Sequence, residues 1–413
     1  MRRGGWCLLV AVAALGCSHD WDLLDPAFRG AGGEAGSTGG GPASGGGPAV
    51  GGQGGTGGLG GAGGGGGVFA DPWWDATFAR RRQLLLSNPH DEEMIDFPVL
   101  VALDATRIDY GVAQPDGTDL RFIDEDGTTE LAYESEAWDP TGTSFVWVRV
   151  PAIAASSEDD YVAMYYGNPR AADGQNVPAV WSNGYLAVWH LDSTLGDVVS
   201  GFDGTNGGSV ATEGLIGPGR AFDGVDDFID IGAPAGLDGL FAGGGHVSAW
   251  VYAEGPGGGN YGRVLDRSVD NGTGFGWSLM YSQFVSPDSF RFTRGHDLET
   301  GGWDTPGNQL TLDAWHHVAV NYDDGNVTNA PELFVDGDQK GANPNLAPEG
   351  VVEPDAGTPL RIGNGGSTTL RSWDGRIDEV RISSDPRSGP WLDNQVRSMT
   401  DAMITFGAEQ PAP

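Results

Sequence analysis

Apolar side chains in this chain come in short runs between turn dipeptides, several of them alternating with polar neighbours, and that period of two constrains the fold more than any other feature. The clearest runs are Phe97-Pro98-Val99-Leu100-Val101-Ala102-Leu103, Leu120-Arg121-Phe122-Ile123, Leu131-Ala132-Tyr133, Phe145 to Val150 and Tyr161-Val162-Ala163-Met164-Tyr165-Tyr166. In the fourth run Phe145 and Trp147 share one face, while Val146, Val148 and Val150 share the other. The Asp126-Gly127 dipeptide between the second and third predicts a hairpin. No helix of comparable clarity occurs from Trp73 to Asn168, so this segment reads as a small all-β sandwich. From Gly184 to Gln410 the chain is again strand-rich, with Asp-Gly, Asn-Gly and Gly-Gly turns at short intervals.

The stretch between Gly30 and Gly67 is the opposite case: 23 of its 38 residues are Gly. So few large apolar side chains cannot offset the entropy of ordering, and residues 17–70 read as a disordered Gly-rich linker. Its typical reach is about 40 Å. Ahead of it, Arg2 and Arg3 precede an apolar run from Trp6 to Leu15. Ten residues are too few to span a bilayer, which needs about 20, so residues 1–16 read as a signal peptide. The run ends in Ala14-Leu15-Gly16-Cys17-Ser18, which resembles the lipobox of bacterial lipoproteins, with Ala14 where Leu is usual. The resemblance implies acylation of Cys17, with Ser18 suiting export to the outer membrane; an ordinary signal peptide cleaved nearby is the alternative. Only two Cys occur, and loss of Cys7 with the signal would leave Cys17 as the only thiol. Two acyl chains on it would give stable anchoring.

The formal net charge of −35, from 22 basic and 57 acidic side chains, argues against a nucleic-acid partner, which requires clustered Lys and Arg.

Two resemblances to known families sharpen the domain reading. Asp119-Leu120-Arg121-Phe122, Val146-Trp147-Val148-Arg149-Val150-Pro151 and Tyr165-Tyr166-Gly167-Asn168 resemble the bacterial domain-of-unknown-function family 2341, and residues 71–183 are assigned to it. Val188-Trp189-His190-Leu191, Arg220 to Ile229, Trp315-His316-His317-Val318-Ala319, Leu333-Phe334-Val335-Asp336-Gly337 and Gly375 to Ile382 follow in the order of the signature strands of laminin-G-like, concanavalin A-type jelly rolls. Residues 184–410 are assigned to that domain. Arg387-Ser388, Trp391 and Thr405-Phe406-Gly407 are similar to the tail found when the two families occur in tandem. The expected fold class is therefore all-β: two β-sandwich domains, the C-terminal one a concanavalin A-like LamG jelly roll.

Several side chains are candidates for a site. Simple alternation puts Asp378 on one face with Val380 and Ile382, where a carboxylate needs a pair, hydrogen bonds or a metal. The second resemblance implies a structural calcium held by an Asp of this last strand, with Asp192, Asp223 and Asp226 as further ligands. The alternative is that Asp378 accepts backbone N–H bonds and pairs with Arg376 or Arg381. His316 and His317 point to opposite faces of a strand, so a shared zinc is not expected there. Trp303, in the polar segment Leu298 to Gln309, with Trp277, Tyr281 and Tyr261, are candidates for an exposed sugar-binding platform. Trp250 and Trp373 read as core.

A glycosidase needs two carboxylates roughly 5–10 Å apart, and the Glu-x-Asp-x-x-Glu pattern of concanavalin-type hydrolases does not occur in the domain. The sequence thus predicts a non-enzymatic, exported surface protein, held to the outer membrane through lipidated Cys17, whose jelly roll binds a carbohydrate or surface polymer. A structural envelope protein making protein contacts is the alternative, and a glycoside hydrolase the third reading.

Overall fold

The computed structural model describes residues 72–413 apart from 270–273, 284–285 and 367. The signal segment, Cys17 and the linker lie outside the described residues. Among those described, no helix is long and apolar enough to cross a membrane.

The period-two runs become two antiparallel sandwiches. In the first, one sheet runs Ile404–Phe406, Arg80–Leu86, Tyr161–Tyr166, Arg121–Asp124, with Gln410–Pro411 also paired to Arg80–Leu86. The facing sheet runs Met94–Leu103, Ser144–Ile153, Tyr133–Ala137. Val99, Val101, Val146, Val148 and Val150 pack against Phe122, Val162 and Met164 between them. The hairpin expected over residues 120–133 is reduced to one bridge, Ile123 to Glu130. The chain then crosses to the other sheet, where Tyr133 lies opposite Val148.

The second sandwich has two eight-stranded sheets. We call inner the one made of Asp338–Lys340, Glu332–Val335, Trp315–Tyr322, Gly245–Ala253, Asp374–Ser383, Pro218–Asp223 and Val210–Glu213, with Tyr185–Trp189 on the other edge of Asp374–Ser383. The outer sheet runs Asn343–Leu346, Gly301–Asp304, Ser289–Arg294, Gly276–Ser282, Arg263–Ser268, Leu360–Ile362, Phe228–Gly232, Thr205–Gly207. Val247, Ala249 and Val251 of the inner sheet meet Leu279, Phe290 and Phe292 of the outer one in the core.

The two sandwiches are joined along the chain and across space. After the jelly roll the chain returns to the first sandwich, placing Phe406 opposite Leu84 and Gln410 opposite Arg81, so the segment beyond residue 403 completes the first sheet. On the way it forms a helix, Gly389–Met399, which the sequence reading does not assign. The Ser388 hydroxyl caps it by accepting from the Trp391 N–H at 3.1 Å. Trp391 and Leu392 enter the first core, and Val396 and Met399 enter a third apolar cluster. That cluster pairs Leu100, Phe145 and Trp147 of the first sandwich with Trp250, Tyr252 and Trp315 on the outward face of the inner sheet. Each large side chain so buried contributes about 1.5–3 kcal/mol, enough to fix the two bodies together.

Candidate functional site

The strand Asp374–Ser383 does not alternate as its sequence implies. Against Gly245–Ala253, Ser248 faces Arg381 but Trp250 faces Asp378, so one extra residue is accommodated in the Asp374–Ser383 strand. Glu379 takes up the bulge with a φ of 49°, a left-handed conformation costing about 1–2 kcal/mol for a residue with a Cβ. Ile377, Val380 and Ile382 therefore reach the core, while Asp378 leaves their face and turns toward the first sandwich. Its carboxylate accepts from the backbone N–H of Leu215 at 2.8 Å, Ile216 at 2.9 Å and Glu379 at 3.0 Å. A Cβ on Gly214 would stand 2.4 Å from Asp378 Oδ2, so only glycine lets that loop close over it.

Next to Asp378 lies a polar cluster sealed between the sandwiches. His190, at the end of Tyr185–Trp189, places Nδ1 2.6 Å from Glu379 Oε1 and 3.3 Å from Glu136 Oε2, and Nε2 3.5 Å from Glu134 Oε2. Glu134 and Glu136 come from Tyr133–Ala137 of the first sandwich. The side chains of Glu136, His190 and Glu379 are 2%, 6% and 0% exposed. Trp147 donates its indole N–H to Glu136 Oε2 at 2.7 Å, Trp181 to Glu134 Oε2 at 2.6 Å, and Arg381 Nη2 to Glu379 Oε2 at 2.5 Å. The Arg381 guanidinium lies over the rings of Trp147 and Trp181, 4.4 and 4.6 Å from their centroids.

Burial pushes Glu136 well above the usual carboxylate range, and the charge of Glu379 adds to this against the pull of His190. Burial raises Asp378 too, with Glu379 adding to it, against its three N–H donors. Burial alone would depress His190, but Glu379, Glu136 and Glu134 together lift it well above its ordinary value. Glu379 is held low because His190 and Arg381 outweigh its burial.

The four acids expected to hold calcium do not form one shell. Asp378 is committed to three N–H groups, and Asp192 Oδ1 accepts from the Thr194 and Leu195 N–H groups. Asp223 and Asp226 do come together, with Asp227, but Asp223 Oδ1 serves the turn by accepting from Val225 N at 2.8 Å, and both are exposed. Of the four, Asp223 and Asp226 alone share a cluster. His316 and His317 turn apart: His316 Nδ1 pairs with Asp336 at 2.7 Å, and His317 Nε2 meets Gln395 at 3.0 Å.

The aromatic platform is likewise placed elsewhere. Trp303, Trp277 and Tyr281 are at most 3% exposed and point between the sheets. Trp303 stacks on Phe292, because Gly301–Asp304 is a strand with Gly302 and Asp304 outward. Trp373 is in the core as expected, whereas Trp250 belongs to the cluster between the sandwiches. Tyr261 is half-buried on the outer side, with the Arg371 and Arg291 guanidiniums 5.5 and 5.7 Å from its centroid. Around it the outward face of the outer sheet is polar. Arg263 Nε bonds Asp266 at 2.7 Å, Arg291 bonds Asn345 at 2.9 Å, and Ser278 meets Thr293 at 2.7 Å. Asn345 also donates to Asp304. Half-buried Arg361 stacks on Phe228 at 4.4 Å. None of the apolar clusters of the described residues joins this face to the first sandwich.

The chain is similar in structure to domain 4 of AbnA, an extracellular arabinanase from Geobacillus stearothermophilus solved with arabinotriose, at 19% identity and a TM-score of 0.36 over 51% of this chain and 98% of that one. It is similar to the binding domain of Paraclostridial Mosquitocidal Protein 1 at 12% identity and a TM-score of 0.41, over 53% of each chain. The sialidase of Trypanosoma rangeli is similar at 14% identity and a TM-score of 0.37, over 65% of this chain and 42% of that one. No curated protein matches the sequence. Residues 116–214 match the family described as "Domain of unknown function (DUF2341)", running past residue 183 through the Tyr185–Trp189 strand of the inner sheet. Residues 223–392 match the "Concanavalin A-like lectin/glucanases superfamily", so the chain joins these two kinds of domain in one molecule.

Proposed function

We propose that this is a non-enzymatic surface protein whose jelly roll binds a carbohydrate or surface polymer on the outward face of its outer sheet. The observation that carries the reading is the contrast between the two outward faces. The inner sheet's is closed by the first sandwich, while the outer sheet's carries half-buried Tyr261, Asn345, Arg361 and Arg371 over the buried polar groups of Arg263, Ser278, Arg291 and Thr293. Such a mixture suits sugars, whose hydroxyls take paired hydrogen bonds and whose C–H faces lie on aromatic rings. The lectin-type family description of residues 223–392 supports the same ligand class. Hydrolysis is not part of this reading. Of the carboxylates on that face, Asp266 and Asp304 are fully buried and spend their oxygens on Arg263, Ser268 and Gly366, and on Arg291 and Asn345, while Asp230 stands 3.7 Å from Arg361.

The reading includes export and acylation at Cys17, with the linker holding the sandwiches off the outer membrane. Its support is the lipobox-like sequence, and mass spectrometry of the mature N-terminus tests it: an unmodified Cys17 refutes the anchor. The binding test is a glycan array probed with residues 72–413. Binding should fall at least tenfold in Tyr261→Ala and Arg371→Ala, with the melting temperature nearly unchanged. Binding to no glycan, or equal binding by both variants, sinks the lectin reading. The assembly alternative draws on Leu298 and Val351, 73% and 68% exposed, on segments joined by the Asp297 N–H to Val351 carbonyl bond of 3.0 Å. It gains if Leu298→Asp abolishes capture of an envelope protein while glycan arrays stay blank.

A further inference from the structure

We propose that Glu136, His190 and Glu379 form a binding site for a divalent cation of the zinc class, buried between the two sandwiches and drawing ligands from both. Each of the three offers one donor atom, and these atoms lie within 4.8 Å of one another. A tetrahedral zinc, with bonds of about 2.0–2.2 Å, wants its donors about 3.3 Å apart. His190 Nδ1 stands 3.3 Å from Glu136 Oε2, whose partner oxygen Oε1 is the one left for the cation, and 2.6 Å from Glu379 Oε1, so side-chain rotation must open room for the ion.

The arrangement outside these donors favours a cation over a plain ion-pair network. Both proposed carboxylate ligands are oriented through their Oε2 atoms. Glu379 gives Oε2 to Arg381, Glu136 gives Oε2 to the Trp147 indole, and Glu134 faces His190 Nε2 at 3.5 Å while itself held by the Trp181 indole. His190 Nε2 has no hydrogen-bond partner, and a small approach of Glu134 would supply one, leaving Nδ1 as the metal donor. What these contacts leave over is telling: Glu136 Oε1 is buried and has no hydrogen-bond partner. A buried carboxylate oxygen without a partner carries a penalty that a cation removes.

Charge gives a second argument. Glu134, Glu136, Asp378 and Glu379 face one guanidinium and one imidazole, and without a cation burial holds Glu136 and Asp378 toward their neutral acids. A dication on neutral His190 would let Glu136 ionise as a ligand, while the three N–H groups on Asp378 serve its carboxylate. One imidazole with carboxylates selects zinc or its neighbours over calcium, which prefers six to eight oxygens. The sequence reading passes over this site because its ligands lie far apart along the chain and Glu379 enters through a bulge.

Elemental analysis of purified residues 72–413 after dialysis against Zn2+ tests the proposal. About one zinc per chain is expected, with chelator lowering the melting temperature and Zn2+, but not Ca2+, restoring it. Glu136→Gln should abolish stoichiometric zinc, and Glu134→Gln should weaken it roughly 10–100-fold. Asp223→Asn with Asp226→Asn should leave it intact, which excludes the exposed acidic turn. Should Glu136→Gln fail to fold, Co2+ titration of the unaltered protein decides, since an imidazole–carboxylate site gives visible d–d bands. Absence of zinc uptake and of cobalt bands, or zinc lost only from the Asp223/Asp226 variant, overturns the proposal.

Discussion

Arg381 and Arg361 stand on the two outward faces of the same jelly roll, and each is built into the same chemical kit of carboxylate and aromatic ring. Arg381 pairs with Glu379 at 2.5 Å and lies over Trp147 and Trp181, and the exposure of the two charged side chains is 1% and 0%. Arg361 lies over Phe228 at 4.4 Å and stands 3.7 Å from Asp230, and there the exposures are 18% and 34%. The difference between the two is water. Where the first sandwich seals the inner sheet, each charge must find its complement in the protein, and the surrounding residues are specified one by one. At Arg361 and Asp230 of the outer sheet solvent shares the charges, so these groups stay available to something that comes and goes, whereas Arg263, Asp266, Arg291 and Asp304 are buried.

The sharpest way to break this contrast is to remove Arg381. Arg381→Met keeps much of the volume but leaves Glu379 buried without its guanidinium, and a stability loss of about 3–5 kcal/mol is expected, read from the urea midpoint. Pairing it with Glu379→Gln should recover most of that loss. If the single variant unfolds at the unaltered midpoint, the sealed face is not stabilised in the way its geometry implies.

A smaller effect belongs to pH. Burial, with the charges of His246 and Arg381 adding to it, holds His317 at about 3, and burial likewise holds His246 at about 3; both point outward from the inner sheet. The unfolded chain takes a proton on each below its ordinary value near 6.5, whereas the folded chain refuses it until about 3. Stability contributed by these groups is therefore complete above pH 6.5 and is lost as the pH falls toward 3. The slope is about 1.4 kcal/mol per pH unit for each group. His317→Gln should flatten the acid limb by that slope, about 2–3 kcal/mol between pH 6.5 and 4.5. Parallel curves for variant and parent would show that the ring is already hydrated. The outer sheet's strands contain no His, so substitutions of their uncharged residues should leave the limb unchanged.

How much of this was legible in the sequence differs between the faces for a physical reason. The alternation of Phe145 and Trp147 against Val146, Val148 and Val150 was readable and holds, with the Val set in the first core. Alternation shows only that the other side is apolar, and not that Trp250, Tyr252 and Trp315 would cover it. Asp378 was misplaced because a period of two assumes an unbroken ladder, and the bulge at Glu379 shifts its phase. The usable signal was the adjacent pair Asp378-Glu379 in an otherwise apolar strand, with Glu134 and Glu136 alternating in another. Trp303 was read as a loop residue since Gly301, Gly302 and Asp304 have little strand propensity. Pairing with Ser289–Arg294 overrides that preference. The return of Phe406 to Leu84 depends on contacts more than 300 residues apart, which no local pattern encodes.

The smallest expected effect is the most discriminating, because it separates burial from chemistry. Arg361→Ala removes a guanidinium, an ion pair and a ring contact, the same groups in kind that Arg381→Met removes. A half-solvated pair is worth about 0–1 kcal/mol and an exposed guanidinium–ring contact about 0.5–1 kcal/mol, so the urea midpoint should move by no more than about 1–2 kcal/mol in all. Ligand retention on the array should suffer more than stability does, since Arg361 lies on the face proposed to bind. A stability loss equal to that of Arg381→Met would mean that the outer face is as sealed as the inner one. It would then be part of the scaffold, and the binding surface would have to be sought at the loop ends of the sandwich instead.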